Sequence, residues 1–160
     1  MNPNDRTPAE LVVAYRRGVA TLREAVAGLD ADALRARPIA GKMSSLEVLC
    51  HVVDSDQFMC DRLKRAIATE RPLLMGVESA DYPLPLRYHD RDVDLDLRLL
   101  EAQREQMAAD LDRIGTDAWS RMAVHSENGL VSVADLLAHA VDHLENHVAR
   151  IAEKRAALGL

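Results

Sequence analysis

Three histidines, His139, His143 and His147, stand four residues apart near the end of the chain, and a fourth, His51, stands far upstream. Neutral imidazole is a common ligand for divalent transition metals, so their spacing is the first question. In a helix, a spacing of four puts side chains on one face, about 6 Å apart along the axis and roughly 40° around it. Two neighbouring rings can then share one ion. The outer two, about 12 Å apart, cannot, because metal–nitrogen bonds are about 2 Å long. Spacing alone leaves two pairings open, His139 with His143 or His143 with His147. A helical histidine by itself is ordinarily a solvated surface residue. These three instead border an apolar stripe, since His143 adjoins Leu144 and His147 adjoins Val148.

A catalytic ion takes a third protein ligand from another element, and His51 is the remaining histidine expected well inside a helix. Taken alone, His51 reads as a hydrogen-bonded core residue; the distant pair gives it further meaning. Asp54, Asp56, Asp142 and Glu145 lie close enough in sequence to accept the second N–H of ligating rings. His89 and His125 fall in connections and read first as ordinary loop residues, with a supporting or substrate contact as the alternative. Cys50 and Cys60, ten positions apart on one expected helix and so about 15 Å apart, cannot bridge within it. Nothing nearby in sequence lowers their pKa, and both read as small core hydrophobes. Unpaired thiols fit a reducing, cytoplasmic compartment.

The elements that must position these rings follow from apolar periodicity. Thr7-Pro8-Ala9-Glu10 is a capping box, and Leu11, Val12, Tyr15, Val19, Leu22 and Val26 recur behind it at helical spacing until Gly28. Asp30 to Leu34 makes one short turn. Ser44-Ser45-Leu46-Glu47 opens a second long helix, with Leu46, Leu49, Val53, Met59, Leu63 and Ile67 inward, ending near Glu70 before Pro72. From Arg71 to Arg91 prolines and Gly76 break any period, which predicts a long ordered connection of functional interest. A third helix is expected from about Asp92 to Ile114 with Gly115 as its cap, and Trp119 falls in the turn beyond. Asn128-Gly129 punctuates the next connection. Ser132-Val133-Ala134-Asp135 then opens the last helix, with Val133, Leu137, Ala140, Leu144, Val148 and Ile151 inward. The expected fold is all-α, a four-helix bundle in one domain spanning residues 1–160.

Composition narrows the function classes. With 160 residues, 48% hydrophobic and only 3% aromatic, the chain can bury a core of Leu, Ala and Val without staples. A formal net charge of -6 with no basic run argues against nucleic acid as a partner and against a polybasic membrane patch. No window reaches the apolar length of a membrane span, and the polar start from Met1 to Arg6 does not read as a signal peptide. A small-molecule substrate is the expected partner.

The run from Gly129 to Ile151, with its histidines four apart, is similar to the closing helix of the DinB/YfiT-like superfamily of metalloenzymes. Ser45 to Asp54 is similar to that family's second helix with its one histidine, and Asp81 to Asp92 and Trp119-Ser120-Arg121 add shorter likenesses. The resemblance covers nearly the whole chain. It implies a metal site of His51, His143 and His147, because the family's closing pair precedes a polar residue three positions on and then Ile, as His147, Arg150 and Ile151 do. The chain departs from the pattern at Arg150, where many relatives carry Gln; its cation would repel a metal or bind an acidic substrate group. The resemblance further implies a thiol-dependent transferase using a low-molecular-weight thiol cosubstrate, and a homodimer. A metal-dependent hydrolase and a non-catalytic metal-binding bundle are the alternatives. Imidazole ligands suit zinc or nickel first, with iron or copper next.

Overall fold

The computed structural model describes residues 6–160; Met1 to Asp5, the polar start read above as no leader, lie outside the described residues. Four long helices pack together: α1 (Pro8–Val26), α3 (Ser45–Ala68), α4 (Val93–Leu111) and α5 (Val133–Ala157), with a short α2 (Ala31–Arg35) between the first two. Full capping boxes start α1 at Thr7, α3 at Ser44 and α5 at Ser132. In each, the cap oxygen accepts the N3 backbone N–H and the N3 carboxylate reaches back. Asp30 and Asp92 cap α2 and α4 more simply. Gly115 does not close α4. The helix stops at Leu111, and Gly115 is extended backbone leading into a 3-10 turn, Thr116–Ser120, that carries Trp119.

The all-α expectation needs correcting, because a small sheet joins the helices. Strands β1 (Leu73–Leu74), β2 (Met122–His125) and β3 (Gly129–Ser132) lie in that order, β1 parallel to β2 and β2 antiparallel to β3. Asn128-Gly129 marks the hairpin, with His125 opposite Gly129 and Gly129 at a φ of 73° that favours glycine. Residues 69–92, between α3 and α4, also hold two 3-10 turns, Ser79–Asp81 and Tyr88–Asp90. Among the described residues no helix is long and apolar enough to cross a membrane.

The core falls into two apolar clusters, one around Tyr15, Leu63, Met107 and Leu137, the other around Leu22, Leu49, Leu100 and Ile151. A buried polar layer separates them. Arg104 of α4, 1% exposed, donates through Nε and Nη2 to Oδ1 of Asp56 on α3, the former at 3.0 Å. Its Nη1 donates to the Tyr15 carbonyl of α1 (2.9 Å) and its Nη2 also reaches the Ala140 carbonyl of α5 (3.4 Å). Tyr15 Oη and the Gln103 amide donate to the other Asp56 oxygen. One guanidinium thus joins all four long helices close to the histidine cluster. Gly18 makes room for it, since a Cβ there would stand 2.5 Å from Arg104 Nη1.

Candidate metal centre

His51 comes from the first half of α3, and His143 and His147 lie one turn apart on α5, the helix packed against it. Their rings converge. Centroids lie 5.2 Å apart for His51 and His143, 4.6 Å for His51 and His147, and 4.4 Å for His143 and His147. One nitrogen from each falls within 4.8 Å of the others. The Nε2 atoms of His51 and His143 are 3.2 Å apart, close to the roughly 3.3 Å separating two nitrogens on a tetrahedral ion with bonds of about 2.0–2.1 Å. His139 stands outside the cluster, its ring 6.2 Å from that of His143 and on the side away from His147. Of the two pairings that spacing left open, His143 with His147 is the one whose rings converge with His51.

The donors suit a cation in chemistry as well as in position. Metal ligation requires neutral imidazole. Burial, reinforced by the neighbouring rings, pushes the pKa of His143 down to about 3; burial, His51 and the Arg150 cation do the same for His147, also to about 3. His51 is lowered too, by burial first and Arg150 second, with Asp54 opposing. His147 Nδ1 is buried with no hydrogen-bond partner among the described residues, an arrangement that costs stability unless a ligand satisfies it. The residues therefore fit a divalent ion.

None of the four carboxylates near enough in sequence to serve the rings, and read first as solvated helix-surface acids, hydrogen-bonds to them. Asp54 accepts from Tyr88 Oη (2.7 Å) and from Arg91 (2.8 and 2.9 Å), and Asp56 belongs to the Arg104 layer. Glu145 pairs with Arg6 at 3.1 Å, and Asp142 lies 4.0 Å from the same guanidinium. Each has found a cation instead, which nearness in sequence to a histidine does not reveal. The polar neighbour of His51 Nδ1 is the Ser79 hydroxyl at 3.5 Å, with Ser55 Oγ another 3.5 Å beyond. Ser79 lies in the connection after α3, where no motif marked it. His89 is elsewhere, 3.1 Å from Ser44 Oγ and beside Glu47 at the start of α3. Cys50 and Cys60 are buried and unpaired, and burial raises both thiols.

A cleft of about 340 Å³ opens beside His143, walled by Ser55 and Phe58 of α3, Ser79, His139 of α5, and His125 and Glu127 of the hairpin. It is open to solvent and reaches the triad at His143, so a small molecule could approach an ion held there from that side.

Neutral rings also predict how the metal-free protein responds to acid. Below pH about 6.5 the unfolded chain binds protons that native His143 and His147 refuse until pH falls to about 3, so stability rises with pH across that window. The limiting slope is about 1.4 kcal/mol per pH unit for each ring, and solvent screening narrows the window over which it applies. Urea unfolding at pH 7.5, 6 and 5 should show no loss over the upper part of this range and a falling midpoint below 6.5. The double change of His143 and His147 to Gln should flatten the curve.

The chain is 26% identical over 130 residues to a protein of Oceanobacillus iheyensis put forward by name as a metal-dependent hydrolase; the match covers 81% of this chain and 75% of that protein. Its fold superposes with a TM-score of 0.89 on YfiT from Bacillus subtilis, described as a probable metal-dependent hydrolase with an unusual four-helix bundle topology. That alignment has 20% identity and covers 95% of this chain and 87% of the other. The sequence profile of the DinB superfamily matches residues 14–151, and on that match the chain belongs to the DinB superfamily.

Proposed function

We propose that the protein is a metal-dependent enzyme whose His51, His143 and His147 hold one divalent ion, zinc or nickel before iron or copper, with a coordination position facing the cleft. The observation that carries this reading is the convergence of three neutral imidazoles, two buried and one half-buried, one of them with an unpartnered nitrogen, beside an open cleft. When bound, such an ion supplies Lewis acidity, lowering the pKa of a coordinated water or thiol so that a nucleophile exists at neutral pH.

The family resemblance favours a thiol as the nucleophile. Asp54 and Asp56 on α3 are bound to Arg91 and Arg104 and are not free to take a proton from water, which leaves Glu127 as the cleft carboxylate that hydrolysis would call on. A thiol starts near a pKa of about 8.5 and needs less help. We therefore read the activity as transfer of a low-molecular-weight thiol to a small electrophile. Hydrolysis is the second reading, supported by the names of the relatives above. The chain's own residues would exclude bulk water, hold the rings neutral and orient the substrate along the cleft. The reading extends to a homodimer in a reducing, cytoplasmic compartment.

Elemental analysis of protein purified without a histidine tag should find about one transition-metal ion per chain. Turnover of halogenated or epoxide electrophiles should require both that ion and an added thiol. Metal-dependent turnover without thiol would favour hydrolysis, and no turnover of either kind with the site filled would defeat both readings.

A further inference from the structure

The hairpin side of the cleft that borders His143 carries groups that the proposed activity does not use. His125, at the end of β2, is 6% exposed, and its Nδ1 accepts the backbone N–H of Glu127 at 3.2 Å. A neutral imidazole whose Nδ1 accepts must carry its proton on Nε2. That N–H has no partner among the described residues, while the ring lines the cleft. The hairpin therefore presents a donor of fixed direction.

Glu127 supplies the complementary acceptor. Its carboxylate lies over the bare Cα of Gly76, where a Cβ would stand 2.2 Å from Oε1, and Gly76 N–H donates to Ser126 Oγ at 2.8 Å. No hydrogen bond reaches the Glu127 carboxylate from the described residues. Arg62 lines the same cleft with Nη2 committed to the Met75 carbonyl at 2.6 Å, and it forms no ion pair among the described residues. Asp135 is occupied by the α5 cap, and His139 is held uncharged by burial. The opposite charges of Arg62 and Glu127 leave this wall near neutrality, which suits a dipole better than an ion.

We infer that this wall is an amide-recognition site: His125 Nε2–H donates to the carbonyl oxygen of a substrate amide, and Glu127 accepts from its N–H. The inference rests on the triad being the catalytic centre, and it names the substrate class as small amide-bearing molecules whose reacting atom sits some way from the amide.

The test uses the zinc-loaded full chain, with zinc stoichiometry read by mass spectrometry, and calorimetric titration of N-acetyl aminothiols with two to four methylenes between nitrogen and sulfur. Their O-acetyl ester counterparts lack the N–H. Zinc holds the thiolate whichever nucleophile the enzyme uses, so the acyl end reports on the wall. At least one amide is expected to bind about tenfold tighter than its ester. His125→Phe should weaken both by about tenfold, and Glu127→Ala should bring the amide to the level of the ester, all at unchanged zinc content. Glu127 is exposed, so its variant leaves the core intact. Equal affinity for amide and ester, or no effect of either substitution with zinc bound, overturns the inference and leaves the triad reading standing. Metal-free protein reads the wall separately: N-methylacetamide, and not methyl acetate, should saturably shift the Glu127 side-chain carbonyl resonance, and both should shift the His125 ring nitrogens. Absence of these shifts overturns the inference whatever the metal content.

Discussion

Protein carrying His143→Ala should lose its metal on dialysis against a mild chelator that leaves the parent protein loaded, and should lose metal-dependent turnover with it. His143 stands at the centre of the proposed donor set: its Nε2 lies 3.2 Å from that of His51, and its ring is 4.4 Å from that of His147. Removing a residue that merely orients a ligand costs about 10–100-fold in metal affinity, so removing a ligand should exceed a hundredfold. His139→Ala should leave the metal in place, because that ring is 6.2 Å from its neighbour on the side away from the cluster. The measurement is metal content by mass spectrometry after competition. Retention by His143→Ala, or loss from His139→Ala, would move the site to another set of donors. Metal-free His143→Ala should still fold, since the apolar clusters and the Arg104 layer lie outside the site.

The second large effect belongs to that layer. Arg104→Ala should destabilise the protein by about 3–5 kcal/mol, because Asp56, 2% exposed, is left as a buried carboxylate whose remaining donors among the described residues are a tyrosine hydroxyl and an amide. For a chain of this size that is a fall in Tm of about 10 °C. The double variant Arg104→Met with Asp56→Leu should recover most of the loss, because apolar side chains fill the layer without a stranded charge. Urea unfolding of the two variants beside the parent decides it; equal losses would mean that the cost lies in packing around Arg104 and not in the broken ion pair. Turnover of the double variant is a sharper readout, since the layer borders Ala140, one turn before His143.

Much of the scaffold was legible because helices announce themselves locally. The boxes Thr7 to Glu10 and Ser44 to Glu47 place the starts of α1 and α3 from four residues each, and every apolar position expected inward on α1 is buried. The three histidines that converge are those implied by family resemblance; spacing alone could not choose between His139 and His147. The sheet escaped because its strands are two to four residues long, too short for alternation to register, and because β1 pairs with β2 across some fifty residues. The partners of Asp54 and Asp56 escaped for a similar reason: Arg91 is 37 positions from Asp54 and Arg104 is 48 from Asp56, separations with no periodic signature. His125 read as a loop residue because its role depends on a tautomer set by a backbone N–H, and tautomers leave no trace in sequence.

The three-stranded sheet is spliced into both ligand-bearing helices: β1 follows the end of α3, and β3 runs straight into the cap of α5. Its hairpin loop, Ser126 to Asn128, stays outside the bundle and contributes no residue to the triad. On the proposed reading, the residues that would hold the ion and part of the cleft rim lie on separate elements. Substitutions confined to Ser126 to Asn128 would then change what borders the cleft, through Glu127 and Asn128, and leave the three histidines on α3 and α5 in place.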